Sequence, residues 1–147
     1  MHDNKNNHTY ALAISATLSG TTPAAGNVID LQDYGSATFA FQTGVVTDAG
    51  TVAGFGVTIQ ESDTTNAADF TAVADDQLLG AEADLTVTSD TADNQPIGTI
   101  GYRGTKRYIR CVWTGSTGTN AVVNGGVWLG HPLVAPPVAI AANIAAT

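Results

Sequence analysis

Carboxylates are the commonest groups in this sequence that could do chemistry, and two places bring them together. Glu61-Ser62-Asp63 and Asp75-Asp76 supply acids in pairs, the arrangement general acid–base catalysis uses when one carboxyl keeps a proton and its neighbour loses one. A strand turns adjacent residues to opposite faces and a loop leaves its acids solvated, so neither spacing makes a catalytic pair. Asp90-Thr91-Ala92-Asp93-Asn94 has oxygen donors for a hard cation such as calcium. It lacks the spacing, glycine and closing Glu of an EF-hand loop, and reads as a solvated turn.

The other chemical groups are equally spare. His2, His8 and His131 form no i, i+2 or i, i+4 pair, so a zinc site would have to be assembled by the fold or by symmetry. Gly98-Thr99-Ile100-Gly101 has neither a strand-to-helix context nor a following Lys, and its glycines read as sheet residues rather than a phosphate loop. Cys111 is the single cysteine and cannot form an internal disulfide. Ile109, Cys111 and Trp113 alternate with Tyr108, Arg110 and Val112, which predicts a buried, inert thiol on the apolar face of a strand. No catalytic set, cofactor or metal is expected.

Four of the five basic residues, Arg103, Lys106, Arg107 and Arg110, fall between Tyr102 and Arg110, while thirteen acids are spread over the 147 residues. One basic strand in an acidic, charge-poor chain suits contact with an acidic surface of another protein better than processing of a small molecule. Two readings of it are open. Lys106, Arg107 and Arg110 protect a sheet edge from foreign strands; or Arg107 and Arg110 reach acids of an identical neighbour, such as those near Asp75-Asp76. Charge asymmetry of the second kind favours a head-to-tail homo-oligomer, a trimer or other ring.

The net charge of -8, the pI near 4.3 and the 12% charged fraction exclude the excess of Lys and Arg that phosphate neutralisation needs, so no nucleic-acid partner is expected. A chain of 15.0 kDa forms one domain and buries roughly two-thirds of its unfolded surface, enough for a core without disulfides or metals. The polar start, Met1 to His8, has no apolar signal core. The Ala-rich end from Ala135 to Thr147 is too short for a membrane span and is broken by Pro136-Pro137. The expectation is a protein made in the cytoplasm, with no membrane partner.

These residues must be positioned by strands. Short alternating runs, separated by turn residues every eight to twelve or so positions, predict an all-β fold: an antiparallel β-sandwich, jelly-roll or Ig-like, of about eight strands. Tyr10, Leu12, Ile14, Ala16 and Leu18 share one face of the first strand. Val28 to Leu31 is a short second strand. Ala37 to Val46 points Phe39 and Phe41 inward, and Asp48-Ala49-Gly50 makes a hairpin turn into Val52 to Glu61, where Phe55, Val57 and Ile59 face one way. Gly54 and Gly56 mark a bulge or a close approach by a neighbouring backbone. Ala67 to Leu79 holds a helical turn or a short strand, and Leu85 to Thr88, Ile97 to Tyr102, Lys106 to Thr114 and Ala121 to Leu129 complete the set.

The ends fall outside this rhythm. Residues 1–8 are expected to be a flexible N-terminal arm, 9–132 the sandwich, and 133–147 an extended C-terminal tail that lies on a neighbour through Leu133, Val134, Val138 and Ile140.

Glu61-Ser62-Asp63, then Asp69-Phe70 and Val73, then Tyr102-Arg103-Gly104-Thr105-Lys106-Arg107-Tyr108-Ile109-Arg110, and finally Gly130-His131-Pro132, resemble a family of small proteins that tailed bacteriophages encode among their head genes. The similarity runs from about Asp30 to Pro132. It implies a non-enzymatic structural protein located in the virion, decorating or cementing the outer capsid surface, with the major capsid protein as partner. The longer N-terminal strand and the Ala-rich tail depart from the family pattern and are expected to be specific to one shell. Two alternatives stay open: a head-tail connector or tail component, and a carbohydrate-binding adhesive module using Tyr34, Tyr102, Trp128 and Tyr108. An aromatic content of 7% argues against the last.

Overall fold

The computed structural model describes residues 7–132; Leu133, Val134, Val138 and Ile140 of the expected tail contact, and residues 1–6 of the expected arm, lie outside that range. The described residues form ten strands: β1 (His8–Ser19), β2 (Ala24–Ala25), β3 (Ile29–Asp30), β4 (Tyr34–Asp48), β5 (Gly56–Ser62), β6 (Thr71–Ala72), β7 (Leu78–Leu79), β8 (Pro96–Tyr102), β9 (Tyr108–Thr114) and β10 (Asn120–Pro132). One antiparallel sheet has the order β1-β10-β4-β8-β7; the other runs β2-β9-β5-β6, with β3 also on β9. Two antiparallel sheets packed over a shared core make a β-sandwich, as the alternation predicts. His8, assigned to the arm, opens β1 and pairs with Gly130.

The core is built by the inward halves of the long strands. Phe39, Val123, Val127, Ile59, Ile109, Cys111 and Trp113 are fully buried. Phe41 sets its ring edge-on to Trp113 across the sandwich, with centroids 5.2 Å apart, and stacks on Phe39 at 5.6 Å. Rings in these geometries contribute beyond the area they bury.

Three expectations need correction. The apolar face of β1 is not continuous: the pairing with β10 skips a residue between Leu12 and Ile14, so Tyr10 and Leu12 are exposed while Ala13, Ile14 and Leu18 are buried. A β-bulge moves the strand's alternation by one place. The stretch at Asp48-Ala49-Gly50 is not a hairpin, because β4 and β5 belong to opposite sheets and the chain crosses between them. Gly54 makes the crossing possible: at φ +67° its missing Cβ leaves room for the Val87 carbonyl, 2.0 Å from where that carbon would stand. Lastly, Leu85 to Thr88 is no strand; Glu82–Leu85 is a 3-10 turn, and Val87 makes one isolated bridge to Phe55.

Candidate functional site

The basic residues gather where β8 leaves one sheet and β9 enters the other, in the turn 103–107 and the first half of β9. β9 is flanked by β5 on one side and by β2 and β3 on the other. It is therefore an inner strand, and its charges do not guard an edge.

Most of these cations are engaged within the chain. Lys106 Nζ pairs with Asp63. Arg107 holds Asp30 through two parallel bonds, Nε to Oδ1 at 3.0 Å and Nη2 to Oδ2 at 2.8 Å, and its guanidinium lies 5.0 Å from the Tyr108 ring centre. The fork keeps the Asp30 carboxyl below its usual range. Arg110 donates from Nε to Gln60 Oε1 at 2.8 Å, reaches the Ala67 carbonyl, and covers the Phe70 ring at 4.3 Å. The charge argument for Arg107 and Arg110 as a ladder to a neighbour's acids, and hence for a ring, loses its free groups. Among the described residues Arg103 is the exposed cation whose side chain has no partner; its backbone N–H donates to Gln77.

Tyr102 sits beneath this cluster. It is buried, not an exposed platform, and its hydroxyl donates to Glu61 Oε2 at 2.6 Å while accepting from the Lys106 N–H at 3.0 Å. Burial first, then the bond to Glu61, hold the phenol well above its ordinary pKa. Gly104 is required here, because a Cβ would stand 2.4 Å from the Tyr102 hydroxyl. Three contacts thus tie this strand and turn to the 61–70 segment: Glu61 with Tyr102, Asp63 with Lys106, and Phe70 under Arg110.

The acids with most chemical promise are spent on backbone. Asp93 Oδ1 accepts from the Val46 N–H at 2.6 Å and Asp90 Oδ1 from the Ala49 N–H at 2.8 Å, so this loop, though both aspartates are exposed as the solvated-turn reading expects, is also docked on the end of β4. Glu82 takes the Ile59 N–H at 2.6 Å, and burial raises its carboxyl pKa. Asp75 and Asp76 are adjacent in an exposed 3-10 turn. The Cys111 thiol is buried and pushed up to about 12 by that burial. Among the described residues no group of His, Cys, Asp or Glu is arranged to hold a metal ion.

A second surface escaped the sequence reading. The outer face of the β1-β10-β4-β8-β7 sheet carries Tyr10, Leu12, Trp128 and Leu79, all exposed, among the small or uncharged Gly126, Thr38, Ala40, Gln42, Asn124 and Thr99. Tyr10 and Trp128 meet edge-on at 5.2 Å, and the Tyr10 ring lies over Gly126, whose Cβ would sit 2.1 Å from it. The bulge after Leu12 is what turns Tyr10 and Leu12 outward, and a bulge has no signature in the alternation of a single strand. Tyr34 and Trp128 belong to this sheet and Tyr108 to the other, so the four aromatics of the sugar-binding alternative do not share a platform. Comparison with protein-family models, curated proteins and solved structures finds no match to this chain.

Proposed function

We propose that this chain is a non-enzymatic structural protein of a tailed-bacteriophage virion that decorates or cements the outer capsid surface by contact with the major capsid protein. The supporting observation is the outer face of the five-stranded sheet. In a chain of net charge -8, that face presents exposed Tyr10, Leu12, Trp128 and Leu79 without a charged side chain between them. Charge depletion around exposed aromatics is the composition of an interface core. Arg103, whose guanidinium has no partner among the described residues, supplies one cation to the adjoining end of the molecule, beside a cleft of about 610 Å³ lined by Leu31, Tyr34, Leu79 and Tyr102. Repeated on a lattice, modest contacts of this kind suffice through multivalency.

The test is the copy number and place of the protein in purified particles, by quantitative mass spectrometry and cryo-electron microscopy. Hundreds of copies on the outer shell are expected. About a dozen copies or fewer at a vertex would move the protein to a connector or tail, and absence from the particle would overturn the virion reading.

A further inference from the structure

β1 is the outer strand of its sheet and runs for 12 residues, whereas the other edge pieces among the described residues, β2, β3, β6 and β7, have 2 residues each. Long edges present unpaired backbone groups and are ordinarily blunted by Lys, Pro or inward charges. The β1 sequence, HTYALAISATLS, contains no Lys, Arg, Asp, Glu or Pro. Its one device is the bulge, which is already occupied: Asn27 donates from its backbone N–H to the Ala13 carbonyl at 2.7 Å and from Nδ2 to the Leu12 carbonyl at 3.0 Å.

That contact shows which groups remain open. Leu12 directs its carbonyl away from β10, toward Asn27, and a strand's backbone groups alternate sides. The Tyr10 N–H and C=O therefore also point away from β10, and no described residue pairs with them. On the sheet's outer face, the side chains above this open stretch are Tyr10, 41% exposed, and Leu12, 51% exposed, with Trp128 beside them at 45%.

We propose that the Thr9–Ala11 edge pairs with the same edge of a second copy, antiparallel about a two-fold axis at Tyr10, so that the two five-stranded sheets continue as one. The Tyr10 N–H and C=O then exchange bonds with those of the partner's Tyr10, and the Tyr10, Leu12 and Trp128 clusters of both copies meet on one face. The occupant is a second copy because the edge is its own complement. An antiparallel two-fold matches each open group with its counterpart, and two chains of charge -8 meet here through a strand that brings no acid to the contact. This pairing concerns the free protein and does not rest on the virion reading.

Sedimentation velocity on the full chain is expected to show a concentration-dependent dimer. Leu12→Lys, which places an ammonium at the joint, is expected to raise the dissociation constant about tenfold or more, while Val52→Lys, at a site 96% exposed and remote in sequence, leaves it unchanged. The buried Cys111 permits a second readout: Tyr10→Cys, oxidised with copper phenanthroline, is expected to give a disulfide-linked dimer that Val52→Cys does not. A wild type that stays monomeric at its highest soluble concentration would overturn the proposal. So would a dimer indifferent to Leu12→Lys in which Tyr10→Cys fails to crosslink.

Discussion

The Tyr102 hydroxyl donates to Glu61 Oε2 across 2.6 Å, and that single bond joins β8 of one sheet to β5 of the other. Because the same oxygen accepts the Lys106 N–H, it also fixes the turn that carries the basic residues. Tyr102→Phe leaves Glu61 and the Lys106 N–H without this partner. A loss of about 1–3 kcal/mol in denaturant unfolding is expected. Glu61→Gln keeps an acceptor and is expected to lose less; equal losses would mean that charge, not the bond, matters.

Burial of Cys111 gives a direct readout of strand opening. Its pKa near 12 leaves almost no thiolate at neutral pH, and β9 is hydrogen-bonded on both sides. Labelling by a thiol-reactive disulfide reagent at pH 8 is expected to be slow in the native protein and rapid, to one equivalent, in denaturant. Fast native labelling would show that the inner strand opens locally.

The alternation of Phe39 and Phe41, of Val57 and Ile59, and of Ile109, Cys111 and Trp113 was legible because each run lies in an unbroken strand with one buried face. Tyr10 and Leu12 were not legible, since one inserted residue reverses a face and depends on Asn27, a residue of another segment. The basic run was visible as composition. Its partners were not: Asp30, Gln60 and Asp63 come from β3, β5 and the turn after it, and only pairing of those strands with β9 brings them within reach. The β4–β5 crossing was misread because a Gly-containing turn looks the same whether the chain folds back in one sheet or passes to the next.

The Asp30–Arg107 pair predicts a small pH effect of defined sign. The bond from Arg107 holds the Asp30 carboxyl below its ordinary pKa in the folded protein, so the pair contributes in full above the unfolded value and is lost as pH falls through the folded one. Both side chains are nearly half exposed, 47% and 44%, so water screens the pair and its contribution is small. Asp30→Asn is expected to lower the melting temperature slightly at pH 7, with the difference narrowing as pH falls below the ordinary carboxylate range and shrinking in salt at pH 7. A difference that neither narrows in acid nor shrinks in salt would assign the effect to packing.

Arg103 and Arg107 stand in one turn but are expected to answer differently to the same change. Arg107→Glu puts a carboxylate against Asp30 in place of a two-bonded guanidinium, so it should destabilise the isolated protein measurably. Arg103→Glu breaks no side-chain bond among the described residues and should leave thermal unfolding within error of the parent. If the free guanidinium serves the capsid contact, Arg103→Glu should nevertheless lower retention on shells, because an interfacial charge reversal faces the partner's unpaired acid. Retention equal to the parent's, with the fold intact, would remove Arg103 from the interface and leave the uncharged outer face around Tyr10 and Trp128 as the surface to vary next.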